Sequence, residues 1–214
     1  MFERGGDVMR KLKRSFYARE ADVVAADLIG TVLMRGDRRA RIVETEAYVG
    51  EQDLACHASK GRTARTEIMY GKAGHAYVYF IYGMYDMLNI VTGRVGVAQA
   101  VLVRAAEPLD GWDADLTGPG KLCRAFGITV KYDNGLDLTG DRMYIGRDST
   151  HKPTIRKTVR IGVDYALHWK HELLRFIDVN SQSVSGAKHL RGLGVSPEQK
   201  GGAKKRSGET PKPR

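Results

Sequence analysis

Hydrophobic and polar positions alternate in short runs along the first half of the chain, a pattern that predicts strands joined by polar turns. Spaced apolar residues among lysines and arginines (Val8–Leu28) predict a helix that leads through Gly30 into a first strand. The β-branched segment Arg38–Gly50 predicts a second strand that ends near a pair of acidic residues. Residues 52–74 are polar and rich in glycine, so they predict a loop with one helical turn.

The second half begins with an aromatic segment, HAYVYFIYGMYDMLNIV (75–91), that has Gly83 near its centre and predicts a β-hairpin with an aromatic tip. The two faces of its first strand are Tyr77, Tyr79 and Ile81 on one side and Val78, Phe80 and Tyr82 on the other. A further strand is predicted in VGVAQAVLVRAAEPL (95–109), ending near Arg104, and a short helix in GPGKLCRAFGI (118–128). Three more predicted strands lie in DLTGDRMYIGRD (137–148), TVRIGVD (158–164) and LLRFIDVN (173–180).

These elements predict a single domain of mixed α/β (α+β) class, with a curved, largely antiparallel sheet flanked by helices and a protruding hairpin. A chain of 214 residues is long enough to bury one sizeable core. We expect this domain to occupy residues 1–185. Residues 186–214 are rich in Gly, Lys, Ser and Pro and predict a mobile tail, because they contain too little apolar area to order themselves.

The charge of the chain indicates a polyanionic partner, since 35 Lys and Arg residues face 25 Asp and Glu residues for a net charge of +10. Eight basic and two acidic residues follow Gly186, so +6 of this charge belongs to the tail. The charge by itself is therefore weak support for a nucleic-acid groove in the folded part. We expect the tail to act as a non-specific tether to DNA phosphates.

The cysteine content and the N-terminus indicate a cytoplasmic protein. Cys56 and Cys123 are too few for a disulfide scaffold or for a zinc site made of thiolates alone. Charged residues throughout Met1–Glu20 leave no apolar core for a signal peptide, and no apolar run approaches the length of a membrane span. We expect no membrane contact.

The strongest candidate for chemistry is the segment ETEAY (44–48), which precedes the pair Cys56 and His57. A carboxylate near the end of a strand that faces a polar loop with a histidine is typical of a general base with a positioning partner. In the alternative interpretation, Glu44 and Glu46 are solvated strand residues that point outward. A metal site of Glu46, Cys56 and His57 is a third possibility, although the paired ligand spacing of common metal motifs is absent.

The hairpin segment offers a second candidate site, because four tyrosines (77, 79, 82 and 85) fall within nine positions. Alternating tyrosines usually pack one half-buried face of a sheet, which accounts for Tyr77. Tyr82 lies beside Gly83 and Met84 at the turn, where a large ring is exposed unless it has a partner. Aromatic or apolar side chains at an exposed tip unstack duplex DNA in some proteins, and aromatic faces hold flipped bases.

The run RIVETEAYVGEQDLACHASKGRTARTEIMYGKAGHAYVYFIYGMYDMLNIVTG (41–93) resembles the alkyladenine (3-methyladenine) DNA glycosylase family. VLVRAAEPL, GPGKLCRAFGI and RIGVDYA match further segments of that family in the same order, so the resemblance covers about Ser15 to Asp178. Ala64 departs from it, since many relatives have proline there.

The resemblance implies a role for individual residues. It implies that Glu46 is the general base, and that Arg104 and a main-chain carbonyl around Ile161 help to hold the nucleophilic water. It implies that Tyr48 and Tyr79 sandwich the flipped base while His57 lies against its edge and Asn89 discriminates at the pocket wall. Tyr82, with Met84 beside it, falls on the side chain inserted into the duplex.

The activity implied is hydrolysis of the N-glycosidic bond of alkylated purines in duplex DNA. The implied substrate range extends to deaminated purines. The resemblance implies a monomer that needs neither metal nor cofactor. We expect it to be associated with the nucleoid because it binds DNA. Lys72 and Lys121 lack a context that would make either a nucleophile, so we expect a monofunctional enzyme that leaves an abasic site. The alternative from another class is a non-catalytic nucleic-acid-binding protein that uses Tyr48, Tyr79 and Tyr82 as a stacking platform.

Overall fold

The computed structural model describes residues 9–186, and its framework is a sheet of nine strands within that range. The strands are β1 (Arg10–Lys11), β2 (Val32–Arg35), β3 (Arg38–Tyr48), β4 (Ala76–Ile81), β5 (Tyr85–Val91), β6 (Ala100–Pro108), β7 (Tyr144–Arg147), β8 (Ile155–Thr158) and β9 (Arg175–Asp178). Every pairing among them is antiparallel, which confirms the predicted fold class.

The long strand β3 is the centre of this sheet. The strand order is β1-β7-β2-β3-β6-β5-β4, and β9 joins β3 beside β2 and carries β8 on its other edge. The first residues of β3 pair with β2, and the later residues 44–46 pair with β9. Both partners use the same edge of β3, while β6 occupies the opposite edge along almost its whole length. Glu44 to Glu46 are therefore flanked by strands on both sides.

The described helices are short and are supported by packing rather than by length. They are α1 (Arg14–Tyr17), α2 (Ala21–Leu28), α3 (Pro119–Phe126) and α4 (Val130–Asp133), with 3₁₀ turns at His57–Lys60, Glu67–Tyr70 and Leu167–His171. Proline at the first position begins α3, and Gly127 ends it in the left-handed conformation, with φ 65°. The predicted passage from α2 through Gly30 into β2 is confirmed.

The main core lies between α2 and one face of the sheet. Val24, Ala25 and Leu28 of α2 are fully buried in the same cluster as residues of β3, β5 and β6. The hydroxyl of Thr45 donates a 2.8 Å hydrogen bond to the carbonyl of Ala25 and so fixes which face of β3 the helix covers. Because side chains alternate along a strand, Glu44, Glu46 and Tyr48 point to the opposite face.

Several predicted boundaries are wrong. The stretch from Val8 to Leu28 is not one helix, since β1, α1 and α2 divide it, and the loop of residues 52–74 contains two 3₁₀ turns rather than one. The strand predicted in TVRIGVD instead ends at Thr158, because Ile155–Thr158 pairs with β9 and the following residues turn away. The strand β6 passes through Arg104 and ends at Pro108.

Two further expectations meet the limits of the described residues. The predicted tail 186–214 lies outside them except for Gly186. Within residues 9–186, no helix has both the length and the apolar character needed to cross a bilayer.

Candidate active site

An irregularity in the pairing of β3 with β6 brings an arginine to two carboxylates. Ile42 pairs with Ala106 and Glu44 with Ala105, but the next pair is Thr45 with Val103, so the register passes over Arg104. A residue left unpaired at a bulge has its side chain re-aimed. The guanidinium of Arg104 contacts Glu44 through Nε at 2.9 Å and Glu46 through Nη1 at 3.2 Å.

The carboxylate of Glu46 is held by three donors and has no exposed side-chain surface. Its Oε1 accepts a 2.8 Å hydrogen bond from the backbone N–H of Ile161. Its Oε2 accepts bonds from the Tyr48 hydroxyl at 3.0 Å and from Arg104. Burial and the charge of Glu46 raise the pKa of Tyr48 well above its ordinary value, so this hydroxyl keeps its proton and remains a donor. These donors compensate the burial of a charged carboxylate.

Glu44 anchors the arginine from behind. Its carboxylate accepts bonds from Nε of Arg175 at 2.7 Å, from the backbone N–H of Ser185 at 2.6 Å and from the Ser185 hydroxyl at 2.8 Å, in addition to Arg104. Burial alone would lower the pKa of Arg104, but the charges of Glu46 and Glu44 raise it above its ordinary value. The interpretation of Glu44 and Glu46 as solvated strand residues is therefore wrong, since both are fully buried.

The same face of the sheet forms the floor of a cavity of about 440 Å³. Alternate residues of β4, β5 and β6 line it, while Val78, Leu88, Val101 and Val103 between them enter the core. The rest of the lining comes from outside the sheet and includes Cys56 and His57, Gly118 to Lys121 at the start of α3, and Ile161 to Val163 with Tyr165. Arg104 and Tyr48, both in contact with Glu46, lie in this lining.

Every residue for which the resemblance implies base binding lines this cavity: Tyr48, His57, Tyr79 and Asn89. The rings of His57 and Tyr79 meet edge to face with centroids 4.4 Å apart, and Nδ1 of His57 lies 3.0 Å from the Tyr77 hydroxyl. Burial and the nearby charge of Arg65 lower the pKa of His57 from 6.5 to about 4. His57 is consequently a neutral imidazole at physiological pH.

Asn89 is buried in the floor, directly across the strand pairing from Tyr77 and from Leu102. Its amide nitrogen donates to the carbonyl of Tyr77 at 3.2 Å. The side chain is therefore fixed by the backbone of the neighbouring strand. A fixed polar group in a pocket floor can discriminate between bases by shape and hydrogen bonding.

The hairpin of β4 and β5 carries the two predicted DNA-inserting side chains at its tip. Tyr82 and Gly83 both have positive φ, 56° and 68°, and the N–H of Met84 donates to the carbonyl of Ile81 at 3.2 Å, as in a type I′ turn. The side chains of Tyr82 and Met84 are 75% and 61% exposed. The turn rotates Tyr82 away from the alternation of β4, so that it also lines the cavity mouth.

Ile161 contacts the site through its backbone N–H, which donates to Oε1 of Glu46. The contact between water and a carbonyl around Ile161, which the resemblance implies, stays a prediction. Three further residues of the site were missed by the sequence reasoning: Asp53, Arg160 and Tyr165. Their one signal in the sequence was proximity to motif residues: Asp53 follows Tyr48 by five positions, and Arg160 and Tyr165 lie within four positions of Ile161. The sequence does not show which charged side chains are buried.

The side chains of the metal-site alternative do not converge. Cys56 is buried against the carbonyl of Ala98, and burial raises the pKa of its thiol to about 11. His57 contacts Tyr77, and Glu46 contacts Arg104. Among residues 9–186, no group of three or more His, Cys, Asp or Glu side chains is arranged to hold a metal ion.

The sequence profile and the relatives found by comparison with known proteins indicate the same family. The sequence profile of methylpurine-DNA glycosylase matches residues 15–182. A protein of Legionella pneumophila (strain Corby) is 48% identical over 182 residues, which cover 83% of this chain and 99% of the relative. A protein of Myxococcus xanthus is 49% identical over 185 residues (83% and 94%), and one of Methanocella arvoryzae is 46% identical over 197 residues (83% and 96%). All three are named, provisionally, as 3-methyladenine DNA glycosylases.

The matched range contains the full β3–β6 pairing, the hairpin and the loop with Ile161. The profile spans most of the chain, and the relatives are covered along nearly their whole length. The chain therefore belongs to the methylpurine-DNA glycosylase family, whose members are hydrolases of the N-glycosyl bond.

Proposed function

We propose that this protein flips an alkylated purine out of duplex DNA into the cavity and hydrolyses its N-glycosidic bond with water activated by Glu46. The observation that carries the proposal is a buried carboxylate fixed by three donors, Ile161, Tyr48 and Arg104, which themselves line an aromatic-lined cavity. Because one chain supplies all of these groups, a monomer suffices. The proposed range includes deaminated purines such as hypoxanthine.

The hydrogen bonds of Glu46 support its role as a general base. A carboxylate has about four acceptor positions, and three of them are used by Ile161, Tyr48 and Arg104. The remaining position belongs to Oε1, beside the Ile161 amide, and in this proposal it accepts the hydrogen bond from the attacking water when substrate is bound. A base must lie within hydrogen-bond reach of the proton that it accepts, and such contacts often tighten only when substrate is bound.

The charge of Glu46 supplies the second part of the mechanism. As the base departs, the sugar develops oxocarbenium character, which a nearby carboxylate stabilises. Arg104 orients this carboxylate, and the geometry is held before substrate arrives. A purine nucleoside alkylated at N3 or N7 is cationic, so its base needs no general acid to leave. For a neutral base, Nε2 of a neutral His57 is a candidate donor, since the Tyr77 hydroxyl lies against Nδ1.

The tyrosines account for substrate binding in this proposal. Base stacking on an aromatic side chain contributes about 1–3 kcal/mol, and a cationic purine adds a cation–π attraction. Tyr48 and Tyr79 present their rings to the cavity. A wedge that replaces the extruded nucleotide offsets part of the cost of unstacking. The exposure of Tyr82 and Met84 at the hairpin tip, with Tyr82 also in the cavity lining, supports that role.

The experiment that tests the proposal is release of free base from methylated duplex DNA, with a chelator present, by wild type and by Glu46→Gln. We expect release by wild type and none by the variant, because the amide cannot accept the proton. Glu107→Gln, on β6 but away from the cavity, is the matched control and should release base normally.

The remaining outcomes separate the alternatives. Tight DNA binding without release by wild type would establish the non-catalytic stacking protein. Release that stops on chelation would establish a metal-dependent hydrolase. Borohydride trapping of a protein–DNA adduct would contradict a water nucleophile and point to a lysine. Lys121 lines the cavity, but its ammonium is paired with Asp115 at 2.7 Å.

A further inference from the structure

A second buried ion pair lies directly behind the candidate active site. Nη1 and Nη2 of Arg160 contact the two carboxylate oxygens of Asp53 at 2.5 Å and 2.8 Å, and neither side chain has exposed surface. Burial alone would lower the pKa of Arg160, but its hydrogen bonds to Asp53 raise it above the ordinary value. The contact is bidentate, the arrangement for which the planar guanidinium is suited.

The pair joins residues 47–55 to the segment 160–169, which is more than 100 residues away in sequence. Arg160 also donates to the carbonyl of Ala47 in β3 at 3.0 Å and contacts the carbonyl of Trp169 at 3.4 Å. The carboxylate of Asp53 accepts bonds from the backbone N–H groups of Val49 at 3.3 Å and Ala55 at 3.0 Å, which shapes the turn that leads to His57. The end of β3, the loop before His57 and the loop around Ile161 are therefore joined at one point.

The contacts of Arg160 reach both oxygens of Glu46. Its guanidinium lies 5.0 Å from the centre of the Tyr48 ring, whose hydroxyl donates to Oε2. The next residue in the chain is Ile161, whose N–H donates to Oε1. Arg160 itself does not line the cavity, so it contacts Tyr48 from outside the cavity. One buried cation is thus adjacent to one donor for each carboxylate oxygen: it packs against the Tyr48 ring and precedes Ile161 in the chain.

We propose that the Arg160–Asp53 pair is a positioning device for catalysis: it holds the Tyr48 hydroxyl and the Ile161 amide on Glu46 and leaves the remaining lone pair of Oε1 directed to the water. This inference rests on the proposed function of Glu46. It predicts that substitution of Arg160 or Asp53 slows base release by more than the accompanying loss of folding stability explains.

The energetics favour this role over a purely structural one. A buried ion pair is often no more stabilising than apolar side chains of similar volume, because both charges must be desolvated. Moreover, Nε of Arg160 is buried without a hydrogen-bond partner among the described residues, which adds to that cost. Apolar side chains would not reproduce the directed hydrogen bonds of Arg160 to Asp53, Ala47 and Trp169. These bonds hold the chain just before Ile161.

The test compares Arg160→Lys and Asp53→Asn with wild type in single-turnover release of 7-methylguanine from methylated duplex DNA at saturating enzyme. We expect the rate to fall about 100-fold, the loss that misplacement of a catalytic group by about 1 Å can cause. Affinity for duplex DNA carrying a tetrahydrofuran abasic-site analogue should change little, because neither residue lines the cavity. The acidic limb of the pH–rate profile should move to higher pH, since a carboxylate with fewer donors is protonated more easily.

A matched control distinguishes positioning from folding. Asp133 is equally buried and pairs with Arg35 and Arg142, both at 3.0 Å, but lies outside the cavity lining. Asp133→Asn should lower the melting temperature and leave the single-turnover rate and the pH profile unchanged. The double variant Asp53→Leu/Arg160→Met removes both charges together, so it is expected to fold and still to be slow.

The outcomes distinguish failure of the positioning role of the Arg160–Asp53 pair from failure of the proposed function. If the double variant and Arg160→Lys release base at the wild-type rate, or if the rate losses merely follow the melting temperature as in Asp133→Asn, the positioning role is overturned. If instead wild type fails to release base, or Glu46→Gln retains activity, the proposed function fails before the variants of the pair are compared.

Discussion

The partly buried imidazole of His57 leads us to expect a pH-dependent stability of definite sign and size. Burial and Arg65 lower its pKa from 6.5 to about 4 in the folded protein. Below pH 6.5 the unfolded chain therefore takes up a proton that the folded protein resists, and the free energy of unfolding falls as the pH decreases through this window. The contribution is fully present above pH 6.5. At about 1.4 kcal/mol per pKa unit, the loss is about 3 kcal/mol once pH 4 is passed.

The perturbation that isolates this effect is His57→Gln, which keeps a polar partner for the Tyr77 hydroxyl but cannot titrate. Urea unfolding of wild type and variant, followed by circular dichroism at several pH values from 7 to 4, gives the two free energies of unfolding. The wild type should lose about 3 kcal/mol more than the variant on acidification. His168→Gln, which replaces an exposed histidine, is the control for loss of an imidazole and should follow the wild type.

A difference between wild type and His57→Gln that stays constant from pH 7 to 4 would refute the reasoning. It would mean that His57 titrates alike in the folded and unfolded chain, and hence that the cavity wall around it is hydrated. The neutral donor proposed for release of uncharged bases would then lose its support.

Three further predictions concern the hairpin tip, the ion network and the thiols. Tyr82→Ala should weaken binding to duplex DNA with an abasic-site analogue by about 1–3 kcal/mol, measured by fluorescence anisotropy, whereas Tyr82→Phe should bind normally because the ring supplies the stacking. Glu44→Gln should lower the free energy of unfolding by about 3–5 kcal/mol in urea titrations, since it breaks a buried pair with Arg104 and Arg175. Burial raises the thiol pKa to about 11 for Cys56 and about 12 for Cys123, so a thiol reagent at pH 8 should label neither in the folded protein and both in urea.

Local pattern was sufficient for much of the fold. The order of α2, Gly30 and β2 follows from spacing and a glycine, and α3 follows from Pro119 at its start and Gly127 at its end. The hairpin of β4 and β5 follows from alternation around Gly83. Such features depend on neighbours within a few residues, which the sequence displays directly.

Boundaries that depend on distant partners were predicted less well. Ile155–Thr158 is a strand because β9 lies beside it, whereas the more strand-like TVRIGVD mostly turns away. β6 continues past Arg104 because β3 pairs with it as far as Pro108. Pairing of this kind is decided by strands tens of residues away, and local propensity does not contain it.

For the site, the sequence by itself predicted which residues carry chemistry and, through its motifs, indicated the family to which the chain belongs. It also determined by alternation that Tyr77 and Tyr79 share a face. Only the tertiary structure decided that Glu44 and Glu46 are buried, because strands cover both edges of β3 there and loops close over its outer face. The bulge that aims Arg104, and the Ile161 amide that reaches Glu46 across 115 residues of chain, likewise exist only once distant segments have packed together. A one-dimensional pattern specifies local conformation, whereas burial and hydrogen-bond partners are properties of the closed chain.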